Sequence, residues 1–283
     1  MHEVGGLPAA GHPLAQGIPP GSLRHFAVLY SGLDDTAPLA AVYAFEQEIA
    51  DTVRTSSHEI AHTRLQWWRA EVDRLLHDEP LHPATRALIP LRAAGDLSLL
   101  HEALVAADID VARITFNNSS ELEAYCFRSS GSLQTLAAHA CAGSRDISEG
   151  ERTFARALGA AVRQTEMLRD MRLDVSQGRL HVPLEQLERA GVDPFAVCAD
   201  TASAAFLLEL HAWRDELRKR LLALPGLLTK PERATQRQGL VLAALYVKLL
   251  DRIRHDGELA RTRAEVPDWT RLWTAWRTAL RHR

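Results

Sequence analysis

The sequence predicts an all-α fold built as a single domain, and three observations lead to that prediction. From Leu23 onward, apolar residues recur at three- and four-residue spacing almost without interruption, which is the period of one helix face. Alternating apolar and polar runs bounded by turn residues, the pattern of half-buried strands, are missing. The 283 residues suffice to bury a sizeable core, and no break between periodic runs is long enough to link two domains.

Glycine, proline and polar clusters divide the periodic chain into about ten helices. These breaks fall, in chain order, at residues 33–38, 77–80, 94–96, 142–144, 176–178, 191–194, 224–226, 229–231 and 255–257. Residues 1–21 are rich in Gly and Pro and carry no helical period, so we expect a flexible arm there. The helical domain is then expected to cover residues 22–283.

The composition excludes several classes of function. A net charge of -3 gives no reason to expect binding to nucleic acid. Cys126, Cys141 and Cys198 are widely spaced and form no CxxC pair, so neither a disulfide framework nor a structural zinc site is expected. The start of the chain lacks the pattern of a signal peptide, and no run of about 18 apolar residues occurs. We therefore expect a cytoplasmic protein.

Two aspartates stand one helical turn apart at the end of a long periodic run. Asp170 and Asp174 are at positions i and i+4, so their carboxylates share one helix face. Such a pair suits Mg2+, which prefers oxygen ligands and is completed by waters and a substrate phosphate. The same spacing is also typical of a solvated helix end paired with neighbouring arginines, here Arg169 and Arg172.

The surrounding motifs resemble those of one known family. Residues 158–185 resemble the second aspartate-rich segment of the squalene/phytoene synthase family, LGxAxQxTNxLRDxxxDxxxGRxYxP. Further motifs follow in the family's order: 42–51 resembles LYAFxREvDDxxD, 64–69 resembles RLxWWRxEL, 107–110 and 124–131 resemble MDL followed by YCxRxxG, and 245–253 resembles LYxxILDxI. The resemblance extends over about residues 23–257.

This resemblance implies an isoprenoid-synthase-like helical bundle with a central cavity that receives prenyl diphosphates, farnesyl or geranylgeranyl diphosphate. Family members join two of them head to head, using Mg2+ held by two aspartate-rich helices. Carried over by motif, the implied catalytic residues are Asp51, Tyr125, Asp170 and Asp174, and the metal ligands are Asp51, Glu166, Asp170 and Asp174. The implied substrate-binding residues are Arg54, Arg64, Arg128, Gln164 and Arg169.

The first aspartate-rich motif is degraded in this chain. Where the family reads DDxxD, this sequence has Ala50 and Asp51, and Arg54 stands at the last position. Two anionic ligands are lost and a cation is gained within one turn, which should weaken Mg2+ binding severely. In the second motif, Glu166 replaces the family's Asn and His181 replaces its Tyr. Glu166 could extend the carboxylates of Asp170 and Asp174 into a stripe.

Two hypotheses about function follow. In the first, the protein binds a prenyl diphosphate, with Mg2+ held mainly by Asp170 and Asp174 and with arginines meeting the phosphates, and it retains synthase activity. In the second, the fold serves a non-catalytic binding or assembly protein, as in the family branch that resembles a complex I assembly factor and also lacks the first motif.

The last helix offers a second interaction surface. Trp269, Leu272, Trp273, Trp276 and Leu280 share one helical face, and the arginines lie largely on the others. A basic, Trp-bearing amphipathic helix of this kind can lie at a membrane surface. It can equally close the bundle or a dimer.

Overall fold

The computed structural model describes residues 7–9, 11–55, 57–194, 197, 203–253 and 263–283. Helices, turns and bends account for all the regular structure in these residues, and no strand occurs among them. The predicted all-α fold is therefore confirmed. The expected break at 255–257 and Cys198 lie outside the described residues.

Thirteen α-helices are described, and they carry the site and its supports. In chain order they are α1 Leu23–Leu29, α2 Ala37–Val53, α3 His58–Leu76, α4 Pro83–Arg86, α5 Leu99–Val111, α6 Ser119–Cys126, α7 Ser132–Ala142, α8 Glu149–Ser176, α9 Leu184–Ala190, α10 Ala204–Ala223, α11 Lys230–Thr235, α12 Arg237–Leu250 and α13 Asp268–Arg281. A π-helical turn, Phe127–Gly131, joins α6 to α7.

The longest helix, α8, is delimited by strong local signals. Ser148 accepts a hydrogen bond from the Glu151 backbone, and the Glu151 side chain accepts one from the Ser148 backbone, which forms a capping box. Glycines with positive φ follow α7 and α8 at Gly143 and Gly178, where residues with a Cβ would be strained. The breaks predicted at 142–144 and 176–178 are confirmed.

The apolar side chains form two adjoining cores. One is built mainly from α2, α3, α5 and α7, and the other mainly from α8, α10 and α12. Tyr43 and Phe45 lie at the centre of the first core, and Phe154 and Leu245 lie in the second, all fully or almost fully buried. The region between the two cores contains the cavity described below.

Part of the segment expected to be a flexible arm packs onto the bundle. Residues Pro13–Gly17 form a 3-10 helix against α2, and Leu14 and Ile18 are buried. Gly17 allows this close approach, because a Cβ there would lie 2.2 Å from the Tyr43 carbonyl carbon. The apolar side chains of the segment thus add to the core.

Helix α3 turns one face to the core and the other to solvent. Trp68 is 4% exposed and belongs to the core, whereas the adjacent Trp67 is 43% exposed, because neighbouring helix positions diverge by about 100°. His58 and His62 are both exposed.

Candidate functional site

A cavity of about 650 Å3 opens between the two cores. Its walls come chiefly from α1, α2, α5 and α8, with the π-helical turn and Tyr246 of α12. The apolar part of the lining consists of Pro19, Leu23, Ile49, Ala50, Val53, Ala103, Ala106, Ala107, Leu133 and Leu173. The charged part consists of six arginines and five carboxylates: Arg24, Arg54, Arg163, Arg169, Arg179, Arg263, Glu46, Asp110, Glu166, Asp170 and Asp174.

A tight helix crossing sets the position of α8 in the cavity wall. A Cβ at Gly159 would lie 2.3 Å from the carbonyl oxygen of Ser130, so only glycine permits this approach to the π-helical turn. From this anchor, Glu166, Asp170 and Asp174 follow at four-residue intervals along one face of α8. All three line the cavity.

Asp170 is bound by two arginines. Arg169 donates from Nε and Nη2 at 2.9 and 2.6 Å, and Arg263 donates from Nε and Nη2 at 2.7 and 2.9 Å. Burial alone would raise the pKa of Asp170, but the hydrogen bonds from Arg169 and Arg263 outweigh it and lower the pKa to about 2. Both carboxylate oxygens are therefore occupied by guanidinium groups.

His181 lies between two carboxylates. Its Nδ1 is 3.3 Å from Oδ2 of Asp174, and its Nε2 is 3.5 Å from Oδ1 of Asp110. Burial alone would lower the pKa of His181, but the two aspartates outweigh it and raise that pKa. Arg179 also contacts Asp174, at 3.4 Å. The replacement of the family's tyrosine thus brings an imidazole ring to Asp174, and the two aspartates favour its protonated form.

Glu166 and Glu46 share a buried arginine. Arg24 donates to Oε1 of Glu46 at 2.8 Å and lies 3.9 Å from Oε1 of Glu166, which also accepts a 2.7 Å hydrogen bond from Tyr246. Burial tends to raise the pKa of Glu166, but Arg24 and Arg169 outweigh it and lower that pKa. Burial dominates at Glu46 and raises its pKa despite Arg24.

Tyr125 joins a third charged group in the same cavity. Its hydroxyl donates to Oδ2 of Asp110 at 2.7 Å and accepts from Nη2 of Arg163 at 2.7 Å. Arg163 also lies 3.3 Å from Asp110. Burial raises the pKa of Asp110, yet Arg163 and His181 outweigh it and the net shift is downward. The tyrosine hydroxyl is therefore held between an anion and a cation.

Six of the residues implied by the family motifs line this cavity, namely Arg54, Tyr125, Glu166, Arg169, Asp170 and Asp174. The other four lie elsewhere. Asp51 is exposed and pairs with Arg54 at 3.0 Å, and Arg64 is exposed beside Thr55. Arg128 is exposed and lies 3.6 Å from Glu102.

Gln164 is buried but faces away from the cavity. It accepts from the indole Nε1 of Trp213 at 2.9 Å and donates to Glu123 at 2.6 Å, so it supports packing between helices. When the family pattern LGxAxQxTNxLRD is aligned with this chain, its glutamine falls on Arg163, one position before Gln164. Arg163 does line the cavity.

Several cavity residues lie outside the motif-based prediction. Arg24, Glu46 and Arg263 stand at positions for which the motifs specify no charged residue. Glu46 occupies the unspecified position of LYAFxREvDDxxD. A carboxylate one turn before the aspartates of that motif could have indicated a cavity residue. Nothing in the local sequence points to Arg263.

The donor set does not fit a Mg2+ cluster. The α8 carboxylates already accept hydrogen bonds from, or form ion pairs with, arginine, histidine or tyrosine. The facing helix α2 presents Ala50 and Arg54 together with Glu46, which is paired with Arg24. Among the described residues, no group of three or more His, Cys, Asp or Glu side chains is arranged to hold a metal ion. Mg2+ would have to displace paired cations from each ligand on α8.

Comparisons with known proteins agree with the motifs. The sequence model of the squalene/phytoene synthase family matches residues 25–271. A phytoene synthase from Mycobacterium tuberculosis is 29% identical over 159 residues, which cover 55% of this chain and 51% of that protein. A presqualene diphosphate synthase from Sinorhizobium fredii is 30% identical over 172 residues, covering 57% of this chain and 59% of that protein. The match thus spans a little over half the length of these relatives.

The fold has solved counterparts. The crystal structure of a dehydrosqualene synthase in complex with ligand superposes with a TM-score of 0.73 at 18% identity, covering 86% of each chain. The squalene synthase HpnC from Alicyclobacillus acidocaldarius gives a TM-score of 0.55 at 19% identity, covering 82% of this chain and 85% of that one. At these identities the structures establish the fold alone. With a family match over most of its length, the chain belongs to the squalene/phytoene synthase family.

Proposed function

We propose that this protein binds an isoprenyl diphosphate in the cavity between its two cores. The observation that carries the proposal is one cavity with an arginine-rich charged part and an apolar part formed by α2, α5 and Leu133. The diphosphate lies against the arginines, and the hydrocarbon chain lies along Ala103, Ala107 and Leu133. Farnesyl and geranylgeranyl diphosphate are the proposed ligands.

The charged part suits a diphosphate for two physical reasons. A guanidinium group presents planar, paired N–H donors that match phosphate oxygens, and it stays charged at all relevant pH values. The neighbouring low-dielectric wall strengthens these contacts by excluding water. Arg163 and Arg169, which are largely buried, are therefore better placed for this role than the exposed Arg64 and Arg128.

Head-to-head condensation is the reaction that the family membership leads us to propose. The allylic C–O bond of one molecule breaks and its electron pair leaves with the diphosphate. The double bond of a second molecule then attacks the allylic cation, and loss of a proton closes a cyclopropyl diphosphate. In this chain, arginines would stabilise the departing diphosphate, and the apolar wall would keep water from the cation.

One observation favours the alternative of a non-catalytic binding or assembly protein. Asp51 is the one carboxylate left of the first motif, and it is exposed and paired with Arg54 rather than directed into the cavity. Helix α2 therefore offers the cavity no aspartate. A protein of this kind would bind ligand or partner without converting substrate.

Equilibrium dialysis with radiolabelled farnesyl and geranylgeranyl diphosphate tests the proposal, followed by extraction of any hydrocarbon or cyclopropyl product. We expect saturable binding of one of the two ligands. Binding with a condensed product supports the synthase reaction, and binding without product supports the non-catalytic alternative. The absence of saturable binding for both ligands would contradict the proposed function.

A matched pair of α5 variants ties binding to the cavity. Ala107→Phe puts a large side chain into the apolar part of the cavity and should abolish binding. Val105→Phe makes the same class of change two residues earlier, at a position that is 38% exposed and does not line the cavity. It should leave binding unchanged. Equal loss in both variants would indicate that the ligand binds elsewhere.

We further propose that α13 rests on an anionic lipid surface. Its packed side consists of small residues such as Ala275 and Ala279, while Trp269 and Trp273 are 72% and 54% exposed. Exposed arginines, among them Arg277, flank this apolar face and complement anionic headgroups. Within the described residues, no helix is long and apolar enough to cross a bilayer.

The same helix lies close to the cavity lining. Arg271 of α13 donates a hydrogen bond to the carbonyl oxygen of Gly21, and Pro19 and Ser22 on either side line the cavity. A contact between α13 and lipid would therefore place the cavity near the phase in which isoprenoids dissolve. Because α13 lies next to the cavity lining, we favour a lipid surface over a second copy of the chain as the partner of its exposed apolar face.

Flotation with phosphatidylglycerol vesicles tests the lipid contact. Wild-type protein should float with the vesicles, and the pair Trp273→Asp and Trp276→Asp should not. Leu208→Asp is the control, because Leu208 is 69% exposed on α10 and lies outside the α13 face. Wild-type protein that stays in the lower fractions would contradict the proposal, and a dimer lost in the tryptophan variant would assign the face to a second copy.

A further inference from the structure

We infer that this chain recognises a diphosphate directly through its arginines and without Mg2+. The inference rests on the proposed function, since it concerns how the same cavity holds the same ligand. It departs from the metal-dependent arrangement that the aspartate motifs imply, and four features of the charged part of the cavity support it.

The first feature is the occupation of the α8 carboxylates. Asp170 accepts four charge-assisted hydrogen bonds from Arg169 and Arg263, all between 2.6 and 2.9 Å. Such bidentate pairs are among the stronger polar contacts in proteins. A Mg2+ ion demands near-ideal octahedral oxygen ligands and would have to break these pairs to bind. Asp174 is similarly contacted by Arg179 and His181.

The second feature is the wall that faces α8. Helix α2 contributes Glu46, Gln47, Ala50 and Arg54 to the lining, and the one carboxylate among these four, Glu46, already pairs with Arg24 at 2.8 Å. Arg54 would repel a metal ion there and attract a phosphate instead. Among the described lining residues, this side of a bridging metal cluster therefore offers no carboxylate that is not already paired with an arginine.

The third feature is the charge balance of the cavity. Six arginines and five carboxylates are found among its described lining residues, and His181 adds a further basic group beside Asp110 and Asp174. The balance already favours an anion without any metal. A cavity that relied on Mg2+ to neutralise a diphosphate would need the opposite balance.

The fourth feature is a pair of unused polar groups in the lining. The Nε of Arg163 and the hydroxyl of Ser130 are buried and have no hydrogen-bond partner. Buried donors without partners cost free energy, so such atoms usually await a ligand or an ordered water. Both residues line the cavity, so a phosphate oxygen could accept from them.

Isothermal titration calorimetry with farnesyl thiodiphosphate tests the inference on the full chain. In this analogue the bond between the hydrocarbon and the diphosphate resists cleavage, so binding is measured without reaction. Titrations are run in EDTA and in excess Mg2+. We expect binding in EDTA, with an affinity in Mg2+ that is equal or weaker, because Mg2+ competes with the arginines for the diphosphate. Binding at least about tenfold tighter in Mg2+ would overturn the inference and leave the proposed function standing. No binding in either condition would contradict the proposed function itself.

Two further measurements keep the result independent of folding effects. The variant Asp170→Asn keeps the size of the side chain while removing its charge, and its melting temperature reports whether the bundle remains intact. We expect its affinity in EDTA to equal or exceed that of the wild type, because Arg169 and Arg263 are released for the ligand. Electron paramagnetic resonance with Mn2+ alone should show no specific bound ion. A bound Mn2+ that disappears in Asp170→Asn would overturn the inference.

Discussion

Arg263 donates two parallel hydrogen bonds to Asp170, at 2.7 and 2.9 Å, across 93 positions of sequence. Arg263 precedes α13, whereas Asp170 lies in the last third of α8. The carboxylate that most resembles a metal ligand in the sequence is therefore an anchor for two guanidinium groups. This pairing changes the chemistry expected of the site from metal coordination to direct recognition of an anion.

Removing one of these guanidinium groups should weaken ligand binding. Arg169→Gln eliminates a largely buried cation from the cavity lining, and we expect the affinity for farnesyl thiodiphosphate in EDTA to fall about tenfold or more. Arg172→Gln is the matched control, because Arg172 is exposed on the same helix and does not line the cavity. Calorimetric titration checks both. An unchanged affinity in Arg169→Gln would mean that the diphosphate lies elsewhere.

Restoring the family's first motif should restore a response to metal. Ala50→Asp with Arg54→Asp adds two carboxylates and removes one cation, so the affinity in EDTA should fall by about tenfold or more. Mg2+ should recover part of that loss, and synthase activity is measured in the same samples. If the double variant binds equally well in EDTA and in Mg2+, these two positions do not decide the metal dependence.

Adding one methyl group where α8 crosses the π-helical turn should lower the stability of the protein. Gly159→Ala places a Cβ 2.3 Å from the Ser130 carbonyl oxygen, and we expect a loss of about 2–3 kcal/mol in the free energy of unfolding. Gly226→Ala is the control, because nothing lies within 4 Å of a Cβ there and its φ is not positive. Urea unfolding followed by circular dichroism compares the two. Equal stability of both variants would contradict the crossing described here.

The stability contributed by the Glu151–Arg145 ion pair at the start of α8 should depend on pH. Glu151 is fully buried and accepts from both Nη atoms of Arg145, at 2.8 and 2.6 Å. Burial would raise the pKa of Glu151, but Arg145, the Ser148 backbone and Gln236 outweigh it and lower that pKa. The stabilisation is therefore complete above the ordinary value near 4.5 and is lost as the pH falls through the lower folded-state pKa.

Glu151→Gln tests this dependence. At neutral pH the variant should be about 2 kcal/mol less stable than the wild type, and the difference should shrink as the pH falls below the ordinary glutamate value. Glu149→Gln is the control, since that side chain is 84% exposed, and it should change stability by less than about 0.5 kcal/mol. A difference that stays constant from neutral to acidic pH would exclude the carboxylate as its source.

Local signals were sufficient to predict much of the fold. The long apolar period of α8, the acidic first turn and the glycine after its end predict a helix near its observed bounds. The motif around Asp170 also predicted correctly that Glu166, Asp170 and Asp174 would share one side, because four-residue spacing fixes that relationship within a helix. These properties are set by residues close in sequence.

The placement of other residues depends on structure that the sequence pattern does not contain. Asp51 follows Ala50 by one position, and about 100° of helical rotation carries it out of the lining and to the surface. Arg128 lies in a π-helical turn, whose extra residue changes the face expected from an α-helix, and it is exposed beside Glu102. The partners of the α8 carboxylates come from distant segments, so local patterns could not predict them.

A crystal structure of the full chain with farnesyl thiodiphosphate, grown in the presence of Mg2+, tests the central claim most directly. The account predicts diphosphate oxygens within hydrogen-bond distance of Arg163 and Arg169, with the hydrocarbon along Ala103, Ala107 and Leu133. It predicts no Mg2+ between the diphosphate and the carboxylates of Asp170 and Asp174. Mg2+ ions bridging those carboxylates to the diphosphate, or a ligand bound outside this cavity, would contradict it.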